Sequence, residues 1–240
     1  MTVTLHPALR NVDAVIFDVG GTLVHPDWQR LASLVEAETG MFFTREQMHA
    51  AFYAMLRVAE MELVAGANST LPRGAHWTFF NTFRLLGIDD DACIHIRERM
   101  TAAHQERHLW CEPDAEAPSV LLLLKNAGLR IAVISNTEDG RVNDSLASAN
   151  LADHFECLID SHVVGCSKPD EAIFQLALKQ LGVAPQRAAY VGDSYGYDVI
   201  GAHRAGLQPI LLDRSDSYEE QSWFARITSL SELVEKPAPP

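Results

Sequence analysis

Four short apolar segments of this chain each run into, or stop just ahead of, a polar residue of a different kind, and this restricts the fold more than any other feature. Val12 to Phe17 stops at Asp18 before Gly20-Gly21, and Leu129 to Ile134 meets Ser135. Cys157 to Asp160 leads into a loop carrying Lys168, and Ala188 to Val191 precedes Asp193. Runs this short, β-branched and bounded by turn formers, read as buried strands. Helical periodicity lies between them at Ser119 to Asn126, Asp170 to Leu181 and Val199 to Ala205, with a further strand at Pro209 to Leu212. Strands alternating with helices predict a parallel sheet covered on both faces, a doubly wound α/β fold. In such a sheet ligands bind beyond the carboxyl ends of the strands, so residues far apart in sequence converge there.

Between His25-Pro26 and Glu112-Pro113 the strand signal vanishes. Trp28, Leu31, Leu34 and Val35 form one helical stripe closed by Gly40. Thr44 with Gln47 is a capping-box pair ahead of a second stripe, Met48, Phe52, Met55 and Leu56. A polar stretch from Gly66 to Gly74 precedes two more helical patterns, about Ala75 to Leu86 and about Asp91 to His104. The expectation is a helical domain, 26–112, inserted in a core built from 1–25 and 113–240. The residues from Lys236 to Pro240 read as a frayed tail.

With 240 residues, 48% of them hydrophobic, the chain has material for two compact units. Its formal net charge of -13 repels polyanions, which argues against nucleic acid or an anionic membrane as partner. Cys93, Cys111, Cys157 and Cys166 are scattered, as reduced thiols of a cytoplasmic protein would be. The N-terminus lacks a secretion signal, and no apolar run approaches the roughly 18 residues of a membrane helix. Nothing in the sequence marks an oligomeric state.

The strand-end residues make one chemical set: a nucleophile-grade carboxylate (Asp18), a hydroxyl (Ser135), an ammonium (Lys168) and an acidic pair, Asp193 with Asp198 five residues on. Phosphoryl transfer asks for in-line attack, charge neutralisation and a divalent ion. Asp18 and Asp193 supply two oxygen ligands of the kind Mg2+ takes, and Lys168 supplies a point charge.

Four stretches appear together and in order: VIFDVGGTL (Val15 to Leu23), VISNT (Val133 to Thr137), CSKPD (Cys166 to Asp170) and YVGDSYGYDVIGAHRAG (Tyr190 to Gly206). The chain thereby resembles the haloacid dehalogenase superfamily, in the form with a helical cap inserted after the first motif, over about Val12 to Leu212. The resemblance implies a Rossmann-like core and a small phosphorylated metabolite as substrate. It implies Asp18 as the nucleophile that forms an aspartyl-phosphate, Ser135 as a phosphoryl-holding hydroxyl, and Lys168 as the neutralising cation. Thr22, Asn136 and, from the cap, Arg73 are its substrate-binding candidates. Asp18, Asp193, Asp198 and the backbone carbonyl of Gly20 would hold Mg2+, with Asp198 orienting metal water or Lys168. A plain helix-capping role for Asp198 at Val199 competes with that reading.

One position departs from the pattern. Most phosphatases of this family carry a second aspartate two residues after the nucleophile, as general acid and base, where this chain has Gly20. Such a group contributes roughly 10²- to 10⁴-fold in rate. Dehalogenases also lack it, but they dispense with the metal-binding acid retained here as Asp193. Schiff-base hydrolases need a cap lysine, and none stands between Pro26 and Glu116. Sugar phosphomutases rely on the missing acid. Metal-dependent phosphate ester hydrolysis is the first expectation, a phospho-ligand-binding protein with little turnover the second, and a haloacid dehalogenase-type hydrolase the third. His25 is a candidate substitute proton donor, against an ordinary exposed loop role. Arg73 and His76 are candidates for the far end of the substrate.

Overall fold

The computed structural model describes residues 4–66, 71–72, 75–214 and 218–235. The chain divides into two compact units, Pro26–Cys111 and the pair of segments Met1–His25 and Glu112–Pro240. Arg73 and the tail from Lys236 to Pro240 lie outside the described residues.

The first unit consists of α1 (Trp28–Thr39), α2 (Arg45–Val64), α3 (Trp77–Leu85) and α4 (Asp90–Glu106). Local chemistry sets their ends. Asp27 accepts from the Arg30 N–H to start α1, and Gly40 ends it in the left-handed region at φ 70. Thr44 and Gln47 close a reciprocal capping box on α2, satisfying two otherwise orphaned donors. The apolar stripes meet in one cluster containing Trp28, Leu31, Phe52, Met55, Phe79, Phe83, Ile96 and Met100. Trp28 is its centre, with ring centroids 5.4 Å from Phe52 and 6.4 Å from Phe79, both edge-on.

The second unit is built on β1 (Ala14–Phe17), β2 (Arg130–Ser135), β3 (Cys157–Asp160), β4 (Ala188–Gly192), β5 (Gln208–Leu212) and β6 (Ala225–Ile227). They lie in the order β3-β2-β1-β4-β5-β6, each pairing parallel, with Phe17 opposite both Val133 and Val191. The strand order reverses beside β1, so its carboxyl end and that of β4 flank the switch point where a doubly wound sheet binds ligands. The covering helices are α5 (Ala117–Asn126), α6 (Val142–Ser148), α7 (Ser161–Val164), α8 (Glu171–Leu181) and α9 (Ile200–Arg204). Ala14 and Ile16 of β1 share an apolar cluster with Ile173, Phe174, Ala177 and Leu178 of α8.

Three sequence expectations shift. Pro118 lies inside the first turn of α5, where its missing N–H costs nothing, instead of ahead of the helix. The segment read as a helix from Val199 begins earlier, as a wide turn from Tyr195 to Val199 that leads into α9. Val142–Ser148 and Ala225–Ile227 are an additional short helix and strand.

His25 is not an exposed loop residue. Its Nε2 lies 3.2 Å from Asp114 Oδ2, an oxygen that also accepts from Arg214 Nη2 at 2.6 Å, while Asp114 Oδ1 accepts from the Glu116 N–H at 2.9 Å. Burial works to raise the Asp114 carboxyl, but the hydrogen bonds from His25 and Glu116 and the Arg214 charge outweigh it and hold the group below the usual aspartate value.

Two outcomes follow from this packing. Trp28→Ala should cost about 3–5 kcal/mol of stability, the range for emptying a buried large aromatic site; circular dichroism in denaturant measures it, and an unchanged transition would refute the central role of this ring. Asp114→Asn should cost about 1–3 kcal/mol at pH 7, the scale for leaving charged hydrogen-bond partners unmatched. Because the folded carboxyl titrates below the unfolded one, this contribution is present above about pH 4 and lost as pH falls through the folded value. The stability gap between wild type and variant should therefore narrow in acid; a gap constant from pH 7 down to pH 3 would show that the carboxylate charge plays no part.

Candidate active site

Asp18 directly continues β1, and its N–H still donates to Val191 O of β4 at 2.8 Å, so its backbone is fixed by the sheet. The next residues fold back in a tight turn in which the Leu23 and Val24 N–H groups both reach Val19 O at 2.9 Å. Gly21, at φ 86, supplies the left-handed position that this turn requires. Thr22 is fully buried inside it, and its Oγ1 lies 3.5 Å from Asp18 Oδ2.

Lys168 arrives from the loop after β3 and is buried. Its Nζ donates to Asp18 Oδ1 at 2.5 Å, to Asp198 Oδ1 at 2.7 Å and to Tyr190 Oη at 3.0 Å. Three N–H groups thus meet three acceptors. Burial alone would lower the lysine, but the Asp18 and Asp198 carboxylates outweigh it and hold the ammonium well above its ordinary value. For Asp18 the balance differs: burial, with the repulsion of Asp198, prevails over the pull of Lys168 and pushes the carboxyl up to about 6.

The Asn136 side chain, a candidate for substrate contact, is engaged with the Lys168 backbone. Its Oδ1 accepts the Lys168 N–H at 2.9 Å and its Nδ2 donates to Lys168 O at 3.1 Å, so the amide is committed to clamping the lysine's backbone. Ser135 ends β2 and is buried at the same edge of the sheet. The loop beyond it is held by Asp160, a residue read from sequence only as a strand end. Asp160 accepts from Thr137 Oγ1, from the His162 N–H at 3.0 Å and, through Oδ2, from the Val142 N–H at 3.0 Å. An acid followed by serine at a strand terminus was the available signal, and only the fold shows which loop it ties.

On the other side of the switch point, Asp193 follows β4 and is half-buried. Ser194, not Asp198, caps the wide turn, accepting the Tyr197 N–H at 3.1 Å. Asp198 is released from capping and points back: Oδ1 takes Lys168, and Oδ2 accepts the Ser194 N–H at 3.0 Å. That return path crosses Gly192, where an added Cβ would lie 2.3 Å from Asp198 Cγ, so only glycine leaves room. Carboxylate oxygens of Asp18, Asp193 and Asp198 all lie within 4.8 Å of one another. The cluster offers oxygen donors alone, the chemistry that Mg2+ requires.

Arg73 falls outside the described residues. His76 precedes α3 in the left-handed region at φ 54, with its ring centroid 5.3 Å from that of His104. Among the described residues no helix is long and apolar enough to cross a membrane.

Known proteins resemble this chain in sequence and in fold. The phosphoserine phosphatase of Thermus thermophilus is 39% identical over 119 residues, 49% of this chain and 47% of that protein. The glyceraldehyde 3-phosphate phosphatase of Methanothermobacter thermautotrophicus is 27% identical over 205 residues, 83% of this chain and 85% of that one. The chain spans about half the length of the first curated relatives it matches. Among solved structures, the HAD-hydrolase YfnB from Bacillus subtilis, determined with magnesium bound, superposes with a TM-score of 0.70 at 16% identity over 93% of this chain and 97% of that one, a likeness of fold. The haloacid dehalogenase-like hydrolase family matches residues 12–206, a span that runs through Asp18, Ser135, Lys168 and Asp193, and the chain belongs to that family.

Proposed function

We propose that this chain is a Mg2+-dependent hydrolase of a small phosphorylated compound, working through an aspartyl-phosphate at Asp18. The observation that carries the reading is the buried Lys168 ammonium, 2.5 Å from Asp18 and 2.7 Å from Asp198, beside a three-carboxylate cluster. Such a pairing keeps a carboxylate charged, oriented and neutralised, as a nucleophile toward an anionic phosphoryl group must be. Two matched relatives are named as phosphatases, which supports the same substrate class.

In this reading an Asp18 oxygen forms a bond to phosphorus while the bond from phosphorus to the ester oxygen breaks. Water then cleaves the acyl phosphate, which releases inorganic phosphate and restores Asp18. Ser135 and Lys168 hold the phosphoryl oxygens, Asn136 positions Lys168 through its backbone, and Thr22 supports Asp18. Asp18, Asp193 and Asp198, with the Gly20 carbonyl, would hold Mg2+, which when bound neutralises charge on the transferring group. The four thiols, all unpaired, fit a reducing, cytoplasmic setting.

A second reading is favoured by Gly20 itself: the site binds phospho-ligands with little turnover because the usual proton donor is missing. A panel of phosphorylated metabolites and one aryl phosphate, assayed with and without Mg2+, separates the two. Asp18→Asn should lower phosphate release by about 10³-fold or more, since it removes the nucleophilic oxygen at nearly constant shape. Retention of more than a few per cent of the rate would overturn the mechanism. Gly20→Asp should raise kcat/KM up to about 10²-fold on alkyl phosphates and little on aryl phosphates, whose leaving groups need no proton. The left-handed position of the loop is Gly21, so an aspartate at 20 leaves it untouched. Equal changes on both substrate types would refute the missing-acid account.

A further inference from the structure

Tyr190 has no part in the chemistry described above, yet it is the third partner of the Lys168 ammonium. It stands on β4, is 1% exposed, and its ring packs edge-on to Phe174 with centroids 5.1 Å apart. Its Oη accepts from Lys168 Nζ at 3.0 Å and donates to Ile134 O at 3.3 Å. Because the hydroxyl proton goes to a carbonyl, a lone pair must face the lysine. Burial pushes the phenol well above its ordinary ionisation range, so it stays a neutral donor and acceptor together. Ile134 is the residue before Ser135. The hydroxyl therefore ties the ammonium to the very backbone that carries the second phosphoryl-holding group.

The surroundings do not call for an oxygen here. The ring sits in an apolar cluster with Ile16, Ile134, Phe174 and Ala202, where phenylalanine fills nearly the same volume and needs no partner. The ammonium does call for one. Of its three N–H groups, Asp198 and Tyr190 pin two, which leaves the one on Asp18 aimed at the oxygen where charge changes as a phosphoryl group is transferred. Once Asp18 becomes an acyl phosphate its hold on that N–H weakens, and the N–H needs only a small turn to reach a phosphoryl oxygen. With one pin removed, the ammonium rotates about Asp198 and this aim is lost.

The geometry points to Tyr190 as a positioning residue that fixes Lys168 for the transition state of phosphoryl transfer and contributes little to ground-state binding. This rests on the phosphoryl-transfer reading above. Its test compares Tyr190→Phe with wild type, both loaded with Mg2+. Orthovanadate, a pentacoordinate phosphoryl mimic, and inorganic phosphate are titrated by calorimetry, and kcat and KM are measured on the best substrate. The variant should bind vanadate about three- to tenfold more weakly, a part of what one hydrogen bond from a charged donor contributes, with phosphate affinity changed less than about twofold. kcat should fall by the same three- to tenfold factor with KM nearly constant.

Unchanged vanadate affinity overturns the assignment, and so does an equal loss for vanadate and phosphate, which marks a general loosening of the site. Vanadate binding needs no turnover. A wild-type protein that releases no phosphate but binds vanadate therefore refutes the proposed hydrolysis and leaves the Tyr190 comparison decisive. A wild type that binds no vanadate refutes both.

Discussion

Everything at this edge of the sheet depends on one buried cation. Lys168 has only 4% of its surface exposed and lies between Asp18 and Asp198, with side chains equally withdrawn from water. Taking such charges from water costs several kcal/mol per ion, and apolar replacements of similar volume are often neutral or more stable by about 1–4 kcal/mol. Removing one partner is the costly change, because it leaves a buried charge unmatched. A stability argument therefore does not account for this triad.

The doubly wound order explains how residues so distant in sequence meet. β1 and β4 are neighbours, so Asp18 and Asp193 fall at adjacent strand ends on either side of the reversal. Lys168 comes from the far side of the sheet, beyond β3, and needs its backbone held. Asn136, from the loop after β2, provides this with two hydrogen bonds. Asp198 must double back over its own strand to reach the same ammonium, which the missing side chain of Gly192 allows. The parallel sheet supplies convergence, and these two local devices supply aim.

Features set by nearest neighbours were legible in the sequence. The Thr44–Gln47 capping box, the Gly40 stop and the alternation of buried strands with helices stand in the structure as their spacing predicts. The strand-end logic picked out Asp18 and Lys168, which lie 150 positions apart and 2.5 Å from each other. Assignments decided by tertiary partners stayed open or escaped. Asp198 reads from the sequence both as orienting Lys168 and as a cap at Val199, and its bond to Lys168 decides for the first. That the Asn136 amide holds the Lys168 backbone is not visible in the sequence. Tyr190 reads as one more apolar strand residue, because a pattern of buried positions does not reveal where a hydroxyl points. Val142–Ser148 and Ala225–Ile227 are too short for their periodicity to stand out.

The same partnering bears on what the site would accept. A phosphate ester whose leaving oxygen is strongly basic needs a proton as the bond breaks, and Gly20 has none to give. His25, seven positions after the nucleophile, is the candidate substitute, but its Nε2 is engaged with Asp114 and its Nδ1 is sealed from solvent with no partner among the described residues. Moving that ring toward a substrate would break the contact to Asp114 and leave Arg214 as the carboxylate's sole charged partner. Gly20 carries no proton donor, and His25 is engaged elsewhere. Under the proposed hydrolysis, a site with no acid at the Gly20 position would work best on phosphates whose leaving oxygen departs as a stable anion, such as phenolic, enolic or acyl phosphates. The substrate would then be selected first by the basicity of the oxygen it gives up, and only afterwards by its shape.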